Sequence, residues 1–173
     1  MLRTTFLWGR SMSSDRIRSY SWDDPQPSID AAHGLSGLAF LRAIIAGDLP
    51  HPPMGHTLGF EMIEADEGRV AFAGEPAEFL LNPMGAIHGG YFGVLLDSAM
   101  SCAVGTLLAA GQGYTTLEYK VNLVRGMTPA TGQVRAEGWV VHAGRRTATA
   151  EGRMTDVEGR ILGHGSTTCV ILS

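Results

Sequence analysis

The stretch Asn82-Pro83-Met84-Gly85-Ala86-Ile87-His88-Gly89-Gly90 places an amide side chain, an imidazole and a glycine pair directly before the longest apolar run of the sequence. Glycine has no side chain to shield its amide, and the first turn of a helix carries N–H groups without intrahelical acceptors. Gly89 and Gly90 are therefore expected to leave amide hydrogens uncovered at the positive end of a helix dipole. Such donors suit the alkoxide that develops when a carbonyl is attacked. The competing reading is structural: a Gly-Gly pair lets a helix enter beneath a sheet.

Asp97 is the second reactive candidate. It sits between Leu95-Leu96 and Ser98-Ala99-Met100, so a buried carboxylate is expected, satisfied either by a partner or by a function. The competing reading is an aspartate that fixes the helix through backbone or serine hydrogen bonds. An ionised Asp97 could act as a base, provided that hydrogen bonds support its charge. On a helix, nine residues put Asp97 about 180° around from His88 and about 13 Å along the axis. One reacting carbon is hard to serve with both groups of one chain. Across a two-fold interface a second copy could bring its own Asp97 to the His88 loop, and symmetry would make two such sites.

The elements that must hold these groups can be read from the pattern. The run YFGVLLDSAMSCAVGTLLAAG, from Tyr91 to Gly111, has few β-branched residues and reads as one helix of about twenty residues, apolar on nearly every face and hence central. Strand-like segments lie at Leu58–Ala65 and Arg69–Gly74 around the turn Asp66-Glu67-Gly68, then at Thr115–Arg125, Gly132–His142, Arg146–Thr155 and Ile161–Leu172. Short Gly- and Pro-bearing turns between them imply an antiparallel meander. One buried helix wrapped by a five- to six-stranded antiparallel sheet is an α+β architecture. Upstream, a helix is expected from about Ala31 to Ala46, capped by Ser28 or Asp30 and ended by Gly47, with HPPMGHTLGF as a turn region feeding the first strand. The expected division is 1–30 as a flexible extension or misassigned start, 31–48 as an N-terminal helix, and 49–173 as the main domain. Met12 is an alternative start, and the opening residues, with their arginines and serines, are compatible with a targeting segment.

Composition narrows the function classes. A length of 173 residues suits one domain. A net charge of -4, with Arg145-Arg146 as the only adjacent basic pair, argues against a nucleic-acid binder. No apolar run is long enough to cross a bilayer. Cys102 and Cys169 lack metal-ligand spacing and read as buried free thiols of a reducing, cytoplasmic compartment. The histidines share no ligand spacing, so no metal site and no cofactor are expected, and no G-x-S-x-G elbow occurs.

The stretch NPMGAIHGGYFGVLLDSAM resembles the signature of the hotdog-fold thioesterases of the phenylacetate-pathway (PaaI-like) group: Asn, then Gly, then His-Gly-Gly, then Asp on a central helix. TTLEYKVNLVRG resembles the strand that follows in that family, and GRRTATAEGRMTDVEGRILGHGSTT its last two strands, so that residues 50–172 are covered. The resemblance implies a hotdog fold and hydrolysis of an acyl-CoA thioester by a homo-oligomer, with the dimer required for the site and a tetramer expected. It assigns Asp97 as general base or nucleophile, Asn82 as positioning the water or leaving group, and the Gly89 amide, with His88 nearby, as polarising the carbonyl. The aspartate would come from the other protomer. Thr115 or Thr116 would approach the water, with the simple start of a strand as the alternative for both.

Gly90, Arg125, Arg145, Arg146 and His56 are the candidates for contacts to substrate and coenzyme. The arginines would meet phosphates, or else serve as solubilising turn residues, and His56 with Met54 would line the acyl end. Two rivals remain: a dehydratase or hydratase on the same fold, and a non-catalytic acyl-CoA-binding protein. The Asn82 and Asp97 pair weighs against a purely structural subunit.

Overall fold

The computed structural model describes residues 16–172. The expectations attached to the opening residues, a targeting segment or a start at Met12, lie outside the described residues. The six strands are β1 (Phe60–Asp66), β2 (Arg69–Gly74), β3 (Gly113–Leu123), β4 (Val134–Ala143), β5 (Thr147–Asp156) and β6 (Ile161–Leu172). They form one antiparallel sheet in the order β1-β2-β4-β5-β6-β3. Together with one central helix this is the expected α+β hotdog arrangement.

The simple meander is corrected. β1 with β2, and β4, β5 and β6 in turn, follow one another as hairpins, while β3 pairs with β6 at the far edge rather than with its sequence neighbours. The link 124–133 is not a tight turn: it holds a short helical turn at Pro129–Thr131 and buries Met127 completely. That length of chain crosses the end of the sheet from its edge to its middle.

The N-terminal helix is also corrected. In place of one helix there are α1 (Gln26–Ala31) and α2 (Gly37–Ala46), separated at Gly34. Ser36, rather than Ser28 or Asp30, caps α2 by accepting from the Ala39 amide, while the Ser28 hydroxyl donates to the Pro50 carbonyl. Gly47 ends α2 in the left-handed conformation, as the sequence predicts. The stretch HPPMGHTLGF is not merely a turn, because Pro53–Leu58 forms α3. Pro52 is its N-cap and Pro53 its first helical residue, where a missing N–H costs nothing. Arg18 closes α3 by donating to the carbonyls of His56 and Thr57.

The central helix is α4 (Gly89–Gly105), shorter than the twenty residues expected. Leu95, Leu96, Ala99, Met100 and Ala103 are completely buried against the sheet. Two glycines set how closely α4 lies. A Cβ on Gly138 of β4 would collide with the Ala99–Met100 peptide, and one on Gly152 of β5 would meet Met100 and the Glu137 carbonyl. At the C-terminal end, Gly37 of α2 presses directly on the Gly105 carbonyl. Because the obstacle at Gly138 is helix backbone rather than a movable side chain, Gly138→Ala is expected to lower stability by about 1–3 kcal/mol or more. Urea denaturation with an unchanged m value is the check.

Candidate active site

The loop before α4 is shaped by Asn82. Its Oδ1 accepts from the amides of Met84 (2.9 Å) and Ala86 (3.2 Å), and its own amide donates to the Ala86 carbonyl. Gly85, at φ 81°, makes the tight reversal possible. The loop is tied down where Ile87 donates to the Met127 carbonyl and His88 to the Leu80 carbonyl. With Oδ1 committed to the loop, the Asn82 NH2 is the part of the side chain left for a ligand.

His88 is the N-cap of α4. Its Nδ1 accepts from the Gly90 amide at 2.9 Å, so in this arrangement the ring proton sits on Nε2. This corrects one expectation: of the two amides expected to be uncovered, that of Gly90 is capped. Among the described residues no group accepts from the Gly89 amide. Gly89 is at the first position of the helix, where no intrahelical carbonyl is available.

Asp97 projects from the one stripe of α4 that the sheet leaves partly open, which also holds Val94 and Ser98. It is half-buried rather than enclosed, because β3 alone covers this side and β3 is the sheet edge. Thr116 Oγ1 donates to Asp97 Oδ1 at 3.0 Å, whereas Thr115 is exposed. The alternation of side chains along β3 thus selects Thr116. Burial pushes the Asp97 carboxyl above its ordinary value, and the Thr116 hydrogen bond offsets part of that rise. Farther along β3, Tyr119 packs on Gly93 and Leu123 on Gly89, so the same strand reaches from the carboxylate to the free amide.

The sequence model of the Thioesterase superfamily matches residues 84–162, from the glycine-rich loop through α4 into β6. The chain is similar to the 1,4-dihydroxy-2-naphthoyl-CoA hydrolase of Listeria monocytogenes, at 26% identity over 106 residues, 61% of this chain and 85% of that protein. Among solved structures, a point variant of the phenylacetic acid degradation protein PaaI of Thermus thermophilus aligns with a TM-score of 0.62 at 28% identity. That alignment covers 69% of this chain and 98% of PaaI. A conserved protein of Pseudomonas aeruginosa aligns with a TM-score of 0.65 at 26% identity, covering 70% and 94% of the two chains. The matched span and these alignments support a hotdog-fold thioesterase. Its general chemistry is acyl-thioester hydrolysis.

The other residues singled out in this thioesterase do not converge within one chain. Arg125 is exposed just beyond β3, where its amide donates to the Leu162 carbonyl, and Arg145 and Arg146 are exposed in the β4–β5 turn, where the Arg146 carbonyl accepts from Ile171. Leu162 and Ile171 lie at opposite ends of β6, roughly 30 Å apart at strand spacing. The two arginine positions therefore cannot hold one phosphate group in a single protomer. His56 lines a cavity of about 1050 Å³ between the N-terminal helices and the sheet, while Met54 is exposed and outside its wall. Sequence reasoning placed His56 at a pocket wall but gave no sign of the cavity's size or of the part that α1 and α2 take in enclosing it.

If Thr116 is the group that favours the ionised form, Thr116→Val raises the Asp97 pKa further and Thr115→Val leaves it in place. Carbon-detected NMR titration of the Asp97 carboxyl group distinguishes the two variants.

Proposed function

We propose that this thioesterase hydrolyses an acyl-CoA to the free acid and coenzyme A in a site shared by two protomers. The observation that carries this reading is the Asp97 carboxylate, desolvated on an apolar helix and held by the Thr116 hydroxyl. In the reaction, water attacks the thioester carbonyl as Asp97 takes its proton. The negative charge that grows on the carbonyl oxygen is met by the Gly89 amide, with the His88 Nε2–H and the Asn82 NH2 at hand to orient water or leaving group. Collapse of the tetrahedral intermediate breaks the C–S bond, and the proton returns from Asp97 to sulfur. Asp97 could instead attack the carbonyl itself, forming a mixed anhydride that water then opens. Label left in the Asp97 carboxylate after a single turnover in oxygen-18 water identifies an anhydride opened at the aspartyl carbonyl, and rapid quench into hydroxylamine detects an anhydride opened at the acyl carbon, while the general-base route gives neither signal.

Strand geometry supports the shared site. β3 is a sheet edge, and Leu117, Tyr119 and Leu123 on it are exposed apolar residues, a combination that an isolated chain would be expected to cover. Antiparallel pairing of two β3 edges about a two-fold axis runs each strand past the reversed copy of itself. The end that touches Gly89 through Leu123 then comes opposite the end that touches Asp97 through Thr116. The same reversal brings Arg125 of one protomer toward the arginine turn of the other, where both could meet phosphates of the coenzyme. A tetramer of such dimers and a cytoplasmic setting complete the reading.

Asp97→Asn is expected to reduce acyl-CoA hydrolysis by orders of magnitude while the protein stays folded and assembled. Full activity in this variant would sink the mechanism, and no turnover of any acyl-CoA by the native protein would favour a binding protein instead. The shared site has its own test in Gly89→Pro, which removes the amide hydrogen at a helix position where proline fits. Each variant alone should be inactive. Random mixing should give half hybrid dimers with one intact site each, restoring roughly a quarter of native activity. No recovery after subunit exchange would place both groups in the same protomer.

A further inference from the structure

We propose that the cavity between the N-terminal helices and the sheet is the acyl-chain site, and that the substrates are thioesters of long apolar acids; this rests on the acyl-CoA hydrolase reading above. The cavity holds about 1050 Å³, the upper end of the roughly 300–1,000 Å³ typical of small-molecule sites. Phe40 and Ile44 of α2, Phe60 of β1 and Phe72 of β2 form much of its wall, a surface that gives water few partners and rewards an apolar guest. The wall elements α1, α2 and α3 all precede the span matched by the Thioesterase superfamily, which begins at residue 84. The size of the cavity is therefore set by a part of the chain outside that span.

The part of the wall nearest Asp97 in the chain is what assigns the cavity's occupant. That part is formed by Cys102 of α4 and Tyr114 of β3. The Tyr114 hydroxyl donates to Cys102 Sγ at 3.6 Å, so each satisfies the other. Burial holds that thiol up at about 11, leaving it neutral and part of an apolar surface. Both residues adjoin the reactive carboxylate. Cys102 is five residues after Asp97, about 7.5 Å along the helix axis and about 140° around it, near enough for the Asp97 charge to act on its thiol. Tyr114 is two residues before Thr116 on the same face of β3, and Thr116 holds Asp97. An acyl group whose carbonyl stands at Asp97 and whose chain runs toward the C-terminal end of α4 passes Cys102 and enters the cavity of the same protomer. The charged coenzyme then remains at the β3 edge. A short acyl group would leave the space beyond Cys102 unfilled.

Initial rates with acetyl-, hexanoyl-, decanoyl- and palmitoyl-CoA test this. In the native enzyme kcat/KM should climb with chain length, by up to roughly fourfold per methylene buried, until the cavity is full. Ala32→Trp introduces a large side chain from the α1 end of the wall, and Ile29→Trp does so from a half-exposed position. Each should reduce the palmitoyl-to-acetyl ratio of kcat/KM by about tenfold or more. A flat or falling native profile, or an unchanged ratio in whichever variants remain folded by circular dichroism, overturns the proposal while leaving thioester hydrolysis intact. If no acyl-CoA is cleaved at all, the hydrolase reading fails separately. The cavity is then judged by fluorescence titration with a conjugated eighteen-carbon polyene fatty acid: binding that the tryptophan variants weaken supports an acyl-chain site, and no binding, or equal binding in native and variant proteins, overturns it.

Discussion

The near-contact of α4 backbone with the sheet governs everything else in this molecule. With only hydrogen at Gly138, nothing separates the Ala99–Met100 backbone from β4, and Gly152 leaves room for just the Met100 side chain against β5. A helix seated this deeply must be apolar on the faces that meet the sheet, which accounts for Leu95, Leu96, Ala99, Met100 and Ala103. The remaining face can be polar only where the sheet is thinnest, beneath its edge. Asp97 lies there, and β3 supplies its hydrogen-bond donor from the strand that closes that edge. The position of the carboxylate is thus a consequence of how the helix packs.

That position carries a thermodynamic burden. A carboxyl group whose folded-state pKa is raised by burial binds its proton more tightly in the native state than in the unfolded chain. Its effect on stability therefore declines as pH rises through the interval between the unfolded and folded pKa values, and the whole penalty is present above the folded one. The opposite case stands on the other face of the sheet. Burial alone would raise the pKa of Glu137, but Arg69 and Arg135 outweigh it and hold the group below its ordinary value, with Arg153 also in contact. That carboxylate favours folding above its unfolded pKa and loses its contribution as pH falls. Glu137 is compensated by three cations and the half-buried Asp97 by a single hydroxyl, the difference expected between a structural carboxylate and one suited to accept a proton.

Local order was legible in the sequence wherever one segment sets its own conformation. The apolar run with Asp97 inside it marked α4, turn residues marked the six strands, and Gly47 marked the end of α2. What the sequence did not disclose depends on distant partners. The crossing at 124–133 is decided by β3 finding β6 rather than β4, and strand spacing holds no record of that choice. The break between α1 and α2 reflects Ser36 competing successfully as a cap, with Gly37 meeting Gly105 nearly seventy positions away. Arg69, Arg135 and Arg153 are scattered in the chain and gather only through pairing of β2, β4 and β5. At the site, residue types were enough to nominate Asn82, His88, Gly89 and Asp97. The capping of Gly90 by His88, and the choice of Thr116 over Thr115, required a ring orientation and a strand register that sequence spacing leaves open.

β3 ties these features into one mechanism. Tyr114 lines the cavity, Thr116 holds the carboxylate, Tyr119 rests on Gly93 and Leu123 on Gly89. A displacement of this strand along its own axis by one residue would reverse every one of those side chains to the other face. Its register with β6, including the bulge between Thr116 and Glu118, therefore sets the distance from the cavity to Asp97 and from Asp97 to the Gly89 amide together. An edge strand held from one side only is a weak place to store that much geometry. A second copy paired along the open edge would fix the register from both sides, so the interface that joins two half-sites would also be what keeps each half in alignment.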